Sequence, residues 1–388
     1  MKNIPRDAWL VYFAKSIRTT CYGFMGVLLP VSLAQAGFAK KEIGLAFSLT
    51  LMASAFITWI SARLARRFGV RKLLIALHAI TVVSAVLFLT GTSPWILILA
   101  AMVGNLAVGV GETGPFLALE QVVLSRSVPR DQLTSSLSLY NLLGYVCTAF
   151  GGASVGLIPQ HPRLMFGAFL LSGVIQSLLY VFSHPAEAAP PARSESLKSS
   201  RPLIRKIAAL FALDAFGGGF ILQSWVVYFF YVRFHLDLSS LGWIYFSLQI
   251  ATGLSLLAAP PLSRKWGLVN TMVFSHLISN LFLLAVPLAP TAAFAVALLL
   301  GRHLLSQIDV PTRQAFLLMA VQDHEREQAA GLTTISRTIA QAISPTIGGW
   351  VMQTVASSTP FLLGGGLKIL YDWGLYHLAK GVDLTGNQ

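Results

Sequence analysis

Charge is what this chain has least of. Asp, Glu, Lys and Arg make up 11% of its 388 residues, where a soluble domain carries about 25%. Acids are the scarcer sign, 15 against 28 Lys and Arg, which leaves a formal net charge of +13. Hydrophobic residues reach 55% and mean hydropathy is +0.69, so an ordinary soluble enzyme is excluded. There are two cysteines, Cys21 and Cys147. Both lie in apolar stretches outside any metal-binding spacing, so a zinc site and a disulfide framework are excluded. No Gly-rich phosphate loop of the Walker type occurs, so the chain has no ATP-hydrolysing motor. No H-E-x-x-H and no nucleophile elbow occur either. Nothing points to an enzyme, a cofactor or a resident metal. Ten-residue segments of alternating polarity are also missing, which excludes a transmembrane β-barrel.

What is present is a series of long apolar runs with short connections. A spanning helix needs about 20 apolar residues. The hydropathy predicts about twelve spans: near 8–36, 43–65, 73–91, 95–124, 133–158, 163–183, 203–232, 241–262, 268–290, 292–320, 328–355 and 358–378. The expected fold class is an all-α integral membrane protein. The basic excess suggests a nucleic-acid partner until its positions are mapped. About 18 loop Lys and Arg fall on one side of the spans and about four on the other. That asymmetry is the positive-inside rule. It places both termini in the cytoplasm and the chain in a plasma (bacterial inner) membrane, with the lipid bilayer rather than nucleic acid as partner. Lys15 and Arg18 precede an apolar run ending Ala34-Gln35-Ala36, the pattern of a cleavable signal peptide. A counterpart of this segment in the second half makes it span 1 instead.

The two halves repeat at a shift of 196–198 residues. Gly44, Gly69 and His78 match Gly242, Gly267 and His276 at 198. Gly104, Glu112 and Gly152 match Gly301, Asp309 and Gly349 at 197. Gly23 and Pro115 match Gly219 and Pro311 at 196, which sets Arg18 opposite Asp214. The chain therefore divides into six-span bundles at 1–183 and 205–388. The polar stretch 184–204 is the expected cytoplasmic linker. Repeats of this kind build transporter sites near the bilayer midplane.

Nine ionisable residues lie inside apolar spans: Lys15, Arg18, Glu112, Glu120, Asp214, Arg302, Asp309, Arg313 and Arg337. If all faced lipid they would cost on the order of 25 kcal/mol. They must share a polar interior, which in a membrane bundle is usually a pathway. Helical rise puts Arg18 and Asp214 roughly 16 Å, and Glu112 and Asp309 roughly 17 Å, from the cytoplasmic helix ends. Arg302, Ser306, Asp309 and Arg313 are spaced 4, 3 and 4, one stripe of a helix. Asn105, Gly109, Glu112, Phe116 and Glu120 make a similar stripe. Arg18, Glu112, Asp214, Arg302, Asp309, Arg313 and Arg337 are the expected substrate and proton pathway. Arg18 with Glu112 is a candidate ion pair. Asp214 and Asp309 are expected to titrate together, with Arg313 as their counter-charge. Lys15 and Glu120, nearer the cytoplasm, are expected at a gate.

Twelve spans, a six-plus-six repeat and a basic loop after span 2 together resemble the major facilitator superfamily. The family loop runs G-x-L-A-D-R-x-G-R-K. Here it reads Ala62-Arg63-Leu64-Ala65-Arg66-Arg67-Phe68-Gly69-Val70-Arg71-Lys72. Leu64, Ala65, Arg67, Gly69 and Lys72 fit, while Arg66 stands where the family has the acid of its cytoplasmic latch. In the second copy Arg264 takes that place. Span 11 carries Ser344-Pro345-Thr346-Ile347-Gly348-Gly349, similar to the G-P-x-x-G-G of proton-coupled exporters. The resemblance implies two pseudo-symmetric six-helix bundles, with spans 1, 4, 7 and 10 lining a central cavity. It adds Tyr22, Asn105, Tyr140, Tyr145 and Ser306 as cavity walls, and Arg67 and Arg71 at the gate. It makes spans 3 and 9 peripheral, so His78 and His276 are expected to serve helix packing. Lys368 and Asp372 read as a self-neutralised i,i+4 pair. The aromatics of span 7 and span 8 read as an interfacial belt.

The function these features point to is secondary active transport of a small polar or amphipathic organic solute by alternating access. Proton-coupled efflux by a monomer stands first. Proton-coupled uptake of an organic anion or zwitterion stands second. A metal cation stands third, because the cavity stripes hold no Cys, Met or His. A non-transporting receptor on the same fold is the rival from another class.

Overall fold

The computed structural model describes residues 5–91, 93–109, 114–183, 201–321 and 326–380. Among them there is helix and no strand. The helices are α1 (Arg6–Gln35), α2 (Lys40–Phe68), α3 (Val70–Thr90), α4 (Pro94–Val103), α5 (Pro115–Ser127), α6 (Arg130–Leu157), α7 (Pro162–Val181) and α8 (Arg201–Gly219). There follow α9 (Gln223–Phe234), α10 (Leu238–Trp266), α11 (Leu268–Ala285), α12 (Ala292–Ser306), α13 (Asp309–Met319), α14 (Arg326–Thr354) and α15 (Thr359–Lys380). Local chemistry sets their ends. Proline opens α4, α5 and α7, where a first-turn N–H has no helical partner to lose. Glu42 reaches back to the Ala39 N–H at 2.7 Å to start α2. Gly69 and Gly267, the repeat pair, turn α2 into α3 and α10 into α11 with φ of +86° and +78°, a conformation that a Cβ disfavours.

Among the described residues, eight helical segments are each long and apolar enough to cross a membrane. Three of the predicted spans are not single helices. Span 4 is α4 and α5, span 7 is α8 and α9, and span 10 is α12 and α13. The proline pair lies where the second helix of each broken span begins. Pro115 opens α5 and Pro311 lies in the first turn of α13, and neither has an N–H to bond the carbonyl four residues back. Three consecutive glycines, Gly217–Gly219, end α8. The backbone groups freed at the breaks find partners. The Ser224 N–H at the start of α9 donates to the Val108 carbonyl at 3.2 Å. The Gln307 N–H between α12 and α13 donates to Ser255 Oγ at 3.1 Å.

By packing, the chain falls into two compact units: residues 1–190 with 223–249, and residues 191–222 with 250–388. In the first, α1 packs on α6 and α7, and α3 on α7 and α4. In the second, α8 packs on α14 and α15, and α11 on α15 and α12. These are the same pairings under the repeat. A Cβ on Gly23 of α1 would come 2.9 Å from the Gly151 Cα on α6. One on Gly219 of α8 would come 2.6 Å from the Gln341 carbonyl on α14. Glycine at the matched position lets both crossings close. The span 7 aromatics correct an expectation. Trp225, Tyr228, Phe229 and Phe230 are at most 4% exposed, with Trp225 5.1 Å from Phe47. They fill the first unit's interior rather than a belt, because their helix packs on α1. Trp243 of span 8, 44% exposed, does face outward.

Candidate functional site

The first unit holds a closed ionic cluster. Arg18 on α1 donates from both terminal nitrogens to Glu120 on α5, Nη1 to Oε1 at 2.7 Å and Nη2 to Oε2 at 2.6 Å. Tyr140 on α6 and Tyr180 on α7 donate to the same carboxylate at 2.8 and 2.6 Å. Arg18 Nη1 also donates to Gln176 Oε1 at 3.2 Å. Its guanidinium lies over the Phe116 ring, 4.7 Å from the centroid. Lys15 Nζ stands 4.2 Å over the Tyr140 ring. A fork-on-fork pair with two phenols on the acid satisfies both charges, as burial inside a membrane protein requires. Glu120, expected beside Lys15 at a gate, is thus the bidentate partner of Arg18 in the interior. Glu112, the expected partner of Arg18, lies outside the described residues.

The second unit holds the opposite arrangement, one carboxylate among cations. Asp214 on α8 accepts from Lys368 on α15 at 2.5 Å, from Arg337 on α14 at 2.9 Å and from Arg313 on α13 at 3.0 Å. Arg313 Nη1 also donates to Asp309 at 2.8 Å, so one guanidinium bridges the two acids expected to act together. His276 on α11 extends the network. Its Nδ1 lies 2.6 Å from Asp372 on α15 and its Nε2 3.6 Å from Asp214. Asn280, one turn along α11, donates to Asp372 at 3.1 Å. Five helices thus bring their polar groups to one point, and all but Arg337, whose side chain is 31% exposed, are nearly sealed from solvent.

This arrangement corrects two readings. Lys368 and Asp372 are not a self-neutralised pair, since Lys368 binds Asp214 and Asp372 binds His276. The i,i+4 spacing puts them on one face, and that face is turned to α8 and α11. His276 is not a packing residue but the link between two acids. Its repeat mate His78 does pack, sandwiched by Phe116 and Tyr180 at 4.5 and 5.4 Å. The signal for Lys368 and Asp372 was in the sequence: two charges in the middle of an apolar span.

The model of the Major Facilitator Superfamily matches residues 9–345. The chain belongs to that superfamily. Among relatives, it is 22% identical to the uncharacterised membrane protein YJR124C of Saccharomyces cerevisiae, over 98% of this chain and 96% of that one. It is 25% identical to the multidrug efflux protein YfmO of Bacillus subtilis, over 97% and 94%. Among solved structures, a D-xylose–proton symporter superposes with a TM-score of 0.76 at 12% identity, covering 98% of this chain and 99% of that one. The fold is the major facilitator fold: about twelve membrane helices in two pseudo-symmetric six-helix bundles. Major facilitators are integral membrane proteins that carry small molecules and are not enzymes.

Within this major facilitator the other expected residues stand as follows. Tyr140 belongs to the Glu120 cluster rather than to an open wall. Tyr22 is 2% exposed, and Tyr145 is half-buried on α6. Asn105 follows α4 with φ +51°, and neither amide atom has a hydrogen-bond partner. Ser306 ends α12. Arg71 donates to the Tyr180 carbonyl at 3.1 Å and to the Val181 carbonyl, so it caps α7. Arg67 lies against Phe68, 5.2 Å from the ring centroid. Arg302, on the stripe with Ser306 and Asp309, joins none of the ion pairs among the described residues.

Proposed function

We propose that this chain is a secondary active transporter that exports a small organic solute in exchange for protons. The observation that carries the reading is the network on Asp214, with its three cations, two further acids and an imidazole. A packing role alone does not call for so many sealed charges, since apolar residues of similar volume are often as stable or more so. A network that can re-pair when a proton or a solute arrives is what coupling requires. Broken helices in spans 4, 7 and 10 support the same reading, because transporters use such interruptions at their sites. The relative named as a multidrug efflux protein favours export over uptake. The solved proton symporter is the argument for the runner-up, uptake with protons.

In this reading the solute moves by alternating access, with residues 1–183 and 205–388 as the two moving bodies. The chain works as a monomer in a plasma membrane with both termini in the cytoplasm. Lys15, Arg67 and Arg71 stand toward the cytoplasmic gate. The test is flux in vesicles containing only this protein, with and without an imposed pH gradient. Solute accumulation that follows the gradient supports the proposal. Absence of flux for every solute that stabilises the purified protein rejects transport in favour of the receptor reading.

A further inference from the structure

Arg302 differs from every other cation of the second unit's interior. It is 7% exposed, its Nε is sealed without a partner, and among the described residues no acceptor meets its guanidinium. The other three cations are committed: Lys368 and Arg337 to Asp214, and Arg313 to Asp214 and Asp309. Asp372 is held by His276 and Asn280. Four permanent cations therefore share three carboxylates, and the one left over is Arg302. A guanidinium this deeply buried, with no carboxylate within ion-pair distance among the described residues, is costly.

Its position is fixed well inside the membrane. Ten residues separate Arg302 from the start of α12 at Ala292, about 15 Å along the axis, far from either layer of lipid headgroups. Its backbone is pinned to α11, since Ser279 Oγ donates to the Arg302 carbonyl at 3.2 Å. Ser279 lies one turn from His276, so Arg302 stands at the level of the Asp214 network. Beside it, His303 has an Nε2 without a partner, and Ser306 lies one turn further along the same stripe.

We propose that Arg302 is the binding site for the negatively charged group of the transported solute, and that this solute is an organic anion. The guanidinium fork matches a carboxylate, sulfonate or phosphonate bidentately, and its arrival would balance the layer's formal charge. The proposal rests on the transport reading above and narrows its substrate class.

The probes are benzoate, benzenesulfonate and phenylphosphonate, with benzylamine and benzyl alcohol as cationic and neutral matches. Thermal unfolding of the full chain in lipid-free detergent is the readout. At least one anion should raise the Tm while benzylamine and benzyl alcohol do not. Arg302→Gln should weaken that protection roughly ten- to hundredfold in apparent affinity, the worth of a charge-assisted hydrogen-bonded pair. Ser306→Glu places a carboxylate one helical turn from Arg302. It should raise the Tm of the unliganded protein and abolish protection, and it decides the matter if Arg302→Gln does not fold. Protection by benzylamine alone, by no anion, by added anionic lipid only, or undiminished in both variants would overturn the assignment. The two readings fail differently. An anion that protects but never crosses vesicles leaves the site standing and removes transport. Flux of a cation without anion protection does the reverse.

Discussion

Both terminal nitrogens of Arg18 meet one carboxylate, and that carboxylate also takes two phenols. Removing either charge leaves the other sealed. Arg18→Met or Glu120→Gln should each cost about 3–5 kcal/mol, and the double variant less than their sum. Denaturation of the four proteins in detergent measures this, and additive losses would show that the two side chains act independently. At this scale the sequence was informative about which residues are charged and buried, and poor about who pairs with whom. Arg18, Asp214, Asp309 and Arg313, singled out as interior charges, are buried, because an ion in an apolar span has few places to go; Arg337 is partly exposed. Partner choice depends on helix rotation, which a sequence specifies only to within a turn. Read as one continuous helix, the sequence sets Glu112 and Glu120 about two turns apart, so it offered either as a candidate for Arg18. Lys368 was missed because a local acid at i,i+4 offered a cheaper explanation than the distant Asp214.

Helices were legible as hydropathy, and their interruptions were not. A window of about 20 residues averages across a break of two or three, so 203–232 and 292–320 read as continuous. The marks were present in Pro115, Pro311 and Gly217–Gly219, and the repeat doubled the first of them. Close crossings were more legible. Gly23 and Gly219 matched across the halves, and each proves to sit where two helices touch. Gly219→Ala would put a methyl 2.6 Å from the Gln341 carbonyl and closer still to Ser344 Oγ. We expect a loss of about 1–3 kcal/mol from overpacking. Gly331 of α14 has nothing within 4 Å of where its Cβ would lie, so Gly331→Ala should be neutral or slightly stabilising in the same thermal assay. Equal losses in the two variants would mean that the α8–α14 crossing has no special tightness.

The whole molecule must be oriented before any direction of transport has meaning. The orientation expected from the Lys and Arg asymmetry predicts that Ser125 and Gln160, both exposed, lie on opposite sides of the membrane. A cysteine at Ser125 should react with an impermeant maleimide only from the cytoplasm, and one at Gln160 only from outside. Labelling of Gln160 from the cytoplasm would reverse the assignment, and export would become uptake for the same gradient.

Coupling is the property of the whole that the Asp214 network makes testable. Asp214 and Asp309 share Arg313, but their positions in the network differ. Among the described residues Asp309 meets Arg313 alone, while Asp214 also holds Lys368 and Arg337. Neutralising Asp309 leaves Arg313 still paired, so Asp309→Asn should fold with a Tm near that of the native protein. Neutralising Asp214 leaves three cations facing one another in a nearly sealed space. Asp214→Asn should lose several kcal/mol, and Lys368→Met in the same chain should restore part of the loss. Asp309 is therefore the acid that can be neutralised without unfolding the layer, and it carries the coupling test. Asp309→Asn should keep solute exchange measurable in vesicles while a pH gradient no longer drives net flux. If the gradient still drives flux in that variant, the proton travels elsewhere. His276, the only imidazole in the network and placed between Asp372 and Asp214, is the next group to replace. Loss of gradient-driven flux in His276→Gln, with exchange intact, would move the coupling role from Asp309 to the histidine.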